Sequence, residues 1–414
     1  MKQLNSRMLM VAITLTFMLG ACKNNNGATV PPSPLDTSSK APVETKAPNS
    51  NYKPAFAGQT RIGGVHTKTA LSVTIINTGL NQPWGICNLP DGRLLISEKN
   101  GKLLILNLNG TLAKTITGLP AVVNSGQGGL LDVNIDPDFS TSRMIYWDYA
   151  EQASGGYLLA VAKGKLSADE TKVENVQVIY RAQPAYSGTL QYGSRIVFDL
   201  QGNLFVSTGE RSGNDIRVKA QDLSAAIGKV LHLTKEGKAV AGGPFAGKPN
   251  SLPEIYAYGF RNPEGMAWNP QTNELWEAEF GPRGGDEVNL VQPGKNYGWP
   301  VITYGIEYSG DKVGSGIQQK DGMEQPLYYW DPVISPSGIA FYNSDVIGEW
   351  KGNLFLGALS GQHICRLVLS GHKITGEERL LADKNERFRA LIQGKDGALY
   401  AVTDGGKLYR IGKK

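Results

Sequence analysis

The run Gly85-Ile86-Cys87-Asn88-Leu89, the turn Pro90-Asp91-Gly92 and the strands Leu94-Leu95-Ile96-Ser97 and Lys102-Leu103-Leu104-Ile105-Leu106 decide the fold. Apolar residues that alternate with period two across an Asp-Gly turn are the pattern of an antiparallel hairpin. The same form returns at Arg195 to Phe198, Gln201-Gly202-Asn203 and Leu204 to Ser207. It recurs at Gly265 to Trp268 with Glu274 to Trp276, and at Gly338 to Phe341 with Asn353 to Leu356. The last copy is Ala390 to Ile392, Lys395-Asp396-Gly397, Leu399 to Val402 and Lys407 to Ile411. Residues 130–149, around Leu130 to Val133 and Met144 to Tyr149, add one more. Six copies of about 45 to 60 residues match propeller blades with loop insertions. A β-sandwich needs fewer strands and a β-helix a shorter period. The expected fold is all-β, a six-bladed β-propeller. Leu71 to Ile76 is expected to join the terminal blade and close the ring, which removes free sheet edges.

Upstream of the repeats, Lys2 and Arg7 precede an apolar run from Met8 to Gly20. That run has signal-peptide length and falls short of the about 20 residues of a membrane span. Leu19-Gly20-Ala21-Cys22 resembles the bacterial lipobox. Residues 1–21 therefore read as a lipoprotein signal peptide, with lipid carried by Cys22; the alternative is an ordinary cleaved signal with a chance cysteine. Residues 22–65 are rich in Pro, Asn, Ser and Thr, lack periodicity, and read as a disordered tether. Residues 66–414 are expected to form the propeller. The expected location is a bacterial periplasm or outer surface, with the membrane reached through the lipid only.

The net charge of +5 falls by two, to +3, once Lys2 and Arg7 leave with the signal. A balance so weak and evenly mixed argues against nucleic acid as a partner. Besides Cys22 there are only Cys87 and Cys365, each in an apolar strand-like run, which reads as two buried thiols. A bridge between them requires their repeats to be neighbours. The four histidines, His66, His232, His363 and His372, have no metal-ligand spacing.

Propeller chemistry sits on loops at one mouth of the channel, so residues that break the strand pattern are informative. Gly259-Phe260-Arg261-Asn262-Pro263-Glu264-Gly265 places Arg261 and Asn262 just before a strand, where their donors can reach an anion. Arg387 and Arg389 share one face, because residues i and i+2 project together in extended chain. Gly281-Pro282-Arg283-Gly284-Gly285-Asp286-Glu287 is Gly-rich with adjacent carboxylates, which suits oxygen coordination of a hard cation. Singly, these are ordinary surface arginines and an ordinary turn. Together they describe a pocket for a multiply carboxylated anion beside a Ca²⁺ site.

From about Leu80 to Arg410 these motifs resemble the soluble PQQ-dependent glucose and aldose sugar dehydrogenase family. The likeness includes Gly126-Gln127-Gly128-Gly129-Leu130-Leu131 and Lys295-Asn296-Tyr297-Gly298-Trp299-Pro300. The resemblance implies a six-bladed propeller with pyrroloquinoline quinone (PQQ) at the channel mouth. Arg261, Asn262, Arg387 and Arg389 would contact the cofactor, Trp330 would cover its ring, and Gln127 would be a polar contact. The Gly281 and Pro282 carbonyls would hold a Ca²⁺ beside the quinone; Asp286, Glu287 and Tyr297 would hold a second. The implied reaction oxidises an aldose sugar at C1 to the lactone, with electrons passed to a quinone or a cytochrome.

Two positions depart from the family pattern. Gln191, in Gln191-Tyr192-Gly193-Ser194-Arg195, stands where the family has its histidine base, and Ser360 stands where it has a cofactor-contacting lysine. Glutamine can hydrogen-bond a hydroxyl but cannot accept its proton near neutral pH. His363 lies close enough to be considered as a base, although a strand histidine with a satisfied hydrogen bond is the plainer reading. Three functions follow: an aldose dehydrogenase, a degenerate propeller that binds PQQ, sugar or a protein, and, with least support, a Ca²⁺-dependent hydrolase or lactonase.

Overall fold

The structure, a computed structural model, describes residues 41–414. The lipobox and Cys22 lie outside the described residues. Within them, no helix is long and apolar enough to cross a membrane.

Strand β1 (Leu71–Asn77) is set aside for the last blade. The first blade is β2 (Pro83–Asn88), β3 (Leu94–Glu98), β4 (Lys102–Leu106) and β5 (Leu112–Ile116). The second is β6 (Leu130–Ile135), β7 (Met144–Ala153), β8 (Gly156–Leu166) and β9 (Val173–Arg181). The third is β10 (Gly193–Phe198), β11 (Leu204–Thr208), β12 (Lys229–Leu233) and β13 (Ile255–Tyr258). The fourth is β14 (Pro263–Asn269), β15 (Glu274–Glu279), β16 (Asp286–Val291) and β17 (Tyr328–Trp330). The fifth is β18 (Pro336–Phe341), β19 (Leu354–Ala358), β20 (His363–Ser370) and β21 (Lys373–Leu380). The sixth takes β22 (Phe388–Gln393), β23 (Leu399–Thr403) and β24 (Leu408–Lys413), and β1 completes it from the other end of the chain. The six repeats and the closing strand thus fall where the periodicity put them.

The blades pack face to face through six apolar clusters. Trp147 and Leu95 lie between the first and second blades, and Trp276 and Leu356 between the fourth and fifth. Leu94 and Tyr400 seal the sixth blade against the first. Cys87 and Cys365 are both free and buried, on the first and fifth blades, which are not neighbours.

In every blade the register shifts between the innermost strand and the second, near the start of the inner strand. Such bulges bend a strand and re-aim its side chains. Six of them around one rim splay the leads into the inner strands over a common mouth.

Residues 41–65 are not the free tether their composition suggests. The Asp331 carboxylate accepts the backbone N–H and side-chain amide of Asn49 at 2.8 and 2.9 Å, and the N–H and hydroxyl of Ser50 at 3.1 Å. Arg61 donates to the Asp331 carbonyl at 2.7 Å, Glu44 pairs with Arg379 at 2.9 Å, and Gln59 is fully buried. The segment is held by polar pins rather than by apolar area, and such pins leave no trace in a pattern of apolar residues. It forms a strap across the fourth and fifth blades.

Candidate functional site

At the bulged rim a cavity of about 460 Å³ opens, reached by the leads into the inner strands and by the turns that follow the second strands. Of the residues expected at the cofactor, Gln127, Gln191, Arg261, Arg387 and Arg389 line it, as do Gly281 and Pro282. Lys99, Arg261, Arg387 and Arg389 face two carboxylates, Glu264 and Asp404, across this space. The four cations therefore outnumber the anions by two.

Each arginine is fixed by its own partners. Arg389 donates to Glu264 at 2.6 Å and to Asp404 at 2.9 Å, and Arg387 donates to Asp404 at 2.8 Å. Arg261 is nearly buried, at 5% exposure, and donates to the Phe280 and Gly281 carbonyls at 3.1 and 2.7 Å. Its Nε is buried with no partner. Lys99, which follows β3 and donates to the Gly126 carbonyl at 2.9 Å, was not singled out by its sequence context. It adds a fourth cation to the rim. Burial and the neighbouring Arg389 lower its ammonium pKa.

Gln191 occupies the mouth in left-handed backbone, φ +49, an unusual conformation for a residue with a side chain. Its N–H donates to Gln127 Oε1 at 2.6 Å and its carbonyl accepts the Arg211 N–H at 3.1 Å. Its side-chain oxygen is buried without a donor. Gln127 thus acts here as the clamp that sets Gln191.

Other expected contacts lie elsewhere. Asn262 is fully buried; its Oδ1 accepts the Gly193 N–H at 2.9 Å and its amide donates to Glu264 at 3.1 Å. It staples the third blade to the fourth instead of lining the cavity. Trp330 lies in the apolar core between the fourth and fifth blades, edge-on to Tyr328, because β17 is buried along its whole length. The tryptophan at the mouth is Trp84, which carries the Arg195 guanidinium 4.2 Å above its ring. His363 is 1% exposed, its Nδ1 donates to the Gly361 carbonyl at 2.7 Å, and it is absent from the mouth. Burial, with Arg379 beside it, pushes it down to about 4. It is a strand histidine.

The Gly-rich loop also departs from expectation in detail. Gly284 and Gly285, at φ +86 and +73, turn the chain so tightly that Asp286 accepts the N–H groups of Gly281, Ile334 and Ser335 at 2.7, 2.7 and 2.6 Å. Both Asp286 oxygens are thus engaged in closing the loop. The Tyr297 hydroxyl donates to the Leu290 carbonyl at 2.5 Å and accepts the Gln292 N–H at 2.9 Å, so it too is engaged elsewhere. The carboxylates that remain are Glu287 and two that were overlooked, Glu277 and Glu279 on β15. Glu279 and Glu287 are register partners, and both line a pore of about 10 Å³ together with Gly281 and Thr303. That space suits one water-sized occupant. Both Glu277 oxygens are buried without a partner. The donor set therefore fits a hard cation at Glu279 and Glu287, although no three His, Cys, Asp or Glu among the described residues converge on one point. The signal for Glu277 and Glu279 was present: alternate acids inside an apolar strand.

Burial lifts Glu279 to about 8, and burial with Glu279 nearby raises Glu277 and Glu287 well above the carboxylate range. A carboxyl raised in the fold binds more protons folded than unfolded between about pH 4 and 8, so its contribution declines as pH rises through that window. The melting temperature of chelator-treated protein should fall from pH 5 to pH 8, and added Ca²⁺ should flatten the decline. A melting temperature that rises across that range would refute this electrostatic reading.

A closed six-bladed ring with a cationic mouth on its inner-strand leads defines a propeller whose mouth suits a small anionic ligand. The chain belongs to the glucose/sorbosone dehydrogenase family, whose model matches residues 80–410. It is 41% identical over 346 residues to aldose sugar dehydrogenase YliI of Escherichia coli (strain K12), covering 82% of this chain and 92% of that protein. The soluble aldose sugar dehydrogenase of Escherichia coli, solved in its apo form, superposes with a TM-score of 0.80 at 40% identity, over 83% of this chain and all of that one. The PQQ-bound aldose sugar dehydrogenase of Streptomyces coelicolor gives 0.68 at 26% identity, over 84% and 99% of the two chains.

Proposed function

We propose that this protein is a PQQ- and Ca²⁺-dependent dehydrogenase that oxidises aldose sugars at C1 to the lactone and delivers electrons to a quinone or a cytochrome. The observation that carries the reading is the rim of four cations against two carboxylates, which suits a small polycarboxylate. Arg387, Arg389 and Lys99 would hold carboxylates, while the orphaned Nε of Arg261 and the orphaned oxygen of Gln191 point to polar groups still to be met. Bound there, the quinone supplies a two-electron hydride acceptor. Gln127 sets Gln191, and Arg261 spans the mouth and the Gly-rich loop. A cation at Glu279 and Glu287 would neutralise the buried acids behind that loop.

One observation favours a second reading. No histidine lines the mouth, and Gln191 cannot take a proton, so the propeller would bind PQQ or sugar without turnover. The assay that separates the two mixes purified protein, PQQ and Ca²⁺ with glucose and a dye acceptor. Dye reduction that depends on PQQ supports the dehydrogenase. A stable PQQ spectrum without turnover, and activity gained in Gln191→His, supports the binder; no PQQ uptake rejects the dehydrogenase and the PQQ binder alike.

A further inference from the structure

Beside the mouth lies a second cavity of about 390 Å³, lined by Glu210, Arg217, Trp299 and Glu307. It shares Arg261, Pro282 and Tyr308 with the first, so the two are lobes of one depression. Glu210 follows the end of β11, where the chain runs alongside Gln191. Gly209 N–H donates to the Tyr192 carbonyl, Arg211 N–H to the Gln191 carbonyl, and Glu210 N–H to the Arg261 carbonyl at 2.8 Å. Glu210 is thereby wedged between the residue at the family's base position and the arginine shared by both lobes.

Glu210 is 1% exposed, and its Oε2 has no hydrogen-bond partner. The other buried carboxylate of the two lobes, Glu264, is saturated: Oε1 accepts Asn262, and Oε2 accepts Arg389 and Ser337. Asp404 is shared by Arg387 and Arg389, and Glu307 pairs with Arg217 at 2.8 Å. A buried acceptor without a donor, on a segment whose backbone is hydrogen-bonded to Gln191 and Arg261, marks a place for an incoming hydroxyl.

We propose that Glu210 is the general base of this protein, a role that rests on the dehydrogenase reading. The anomeric hydroxyl of the sugar would lose its O–H proton to Glu210 Oε2. The electron pair of that bond becomes the new C=O bond as hydride leaves C1 for the quinone cofactor. Gln191 would donate its side-chain amide N–H to the oxygen of the same hydroxyl and leave the proton to its neighbour. Oε2 is sealed from solvent here, and catalytic hydrogen bonds of substrate-free enzymes commonly tighten only in the substrate complex. Consistent with the role, burial lifts Glu210 to about 7, outweighing the cations Arg261, Arg217 and Arg211; Tyr186, Glu307, Tyr308 and Asp311 are the other ionisable groups around its lobe.

The test uses the full chain with Glu210→Gln, Glu210→Asp and Glu210→Ala. Glu210→Gln should bind PQQ as the wild type does in an absorbance titration, yet lose about 10²- to 10⁴-fold in kcat. Glu210→Asp should recover part of it, and formate should restore turnover to Glu210→Ala. Independently of activity, the infrared difference between wild type and Glu210→Gln without cofactor should contain a carboxylic-acid band that titrates near neutrality. A kcat within about threefold of wild type in Glu210→Gln overturns the assignment while leaving the dehydrogenase reading intact. Absence of PQQ binding in the wild type overturns both.

Discussion

Replacing Arg195 by methionine should cost the fold about 3–5 kcal/mol, the usual penalty for leaving a buried charge unpaired. Arg195 crosses the channel floor. It donates to Asp132 of β6 at 2.8 Å and to the Glu264 carbonyl of β14 at 2.6 Å, and stacks on Trp84 of β2. One side chain on the third blade thus binds three others. Asp132 and Asp148 are buried beside it, and burial, reinforced by Asp132, lifts Asp148 to about 8. Without the guanidinium both acids lose their nearest cation. Urea unfolding should show a lower midpoint, and pairing Arg195→Met with Asp132→Asn should recover much of the loss. Equal stability in the double and single variants would show that the ion pair is not the cause.

The second large effect is expected at Arg261. Its guanidinium is the wall common to both lobes and the brace of the Gly281 carbonyl. Hydrogen bonds to charged groups contribute about 1.5–3 kcal/mol, so Arg261→Ala should weaken PQQ binding by about 10- to 150-fold. Arg261→Lys should not restore it, because a single ammonium cannot reach two carbonyls and a ligand with the planar fork of a guanidinium. Isothermal titration against PQQ reads this directly. An unchanged Kd would place the cofactor elsewhere.

The ring was legible because each blade repeats an Asp-Gly or Asn-Pro turn between alternating strands, and that pattern is local. The cationic part of the site was legible for a related reason: Arg261, Arg387 and Arg389 interrupt strand leads with charge. Register was not legible. Asn262 neighbours Arg261 in sequence, yet the bulge in β14 turns it inward as a staple, and Trp330 follows β17 into the core. Glu210 and Lys99 were missed because each looks like an ordinary polar residue closing a strand; only assembly of the ring brings them to the rim. The strap at 41–65 was misjudged because its attachment depends on a few hydrogen bonds to Asp331, a partner more than 270 residues away in sequence for Asn49 and Ser50.

The closing strand sets an order of events. Blade six needs β22 to β24 from the end of the chain and β1 from its beginning, and that blade delivers Arg387, Arg389 and Asp404 to the rim. A growing polypeptide can stack its earlier blades as they emerge. The ligand-holding surface is incomplete until β22 to β24 are available. Prematurely terminated chains would therefore lack both the circular clasp and the anion grip, so cofactor capture reports a finished molecule.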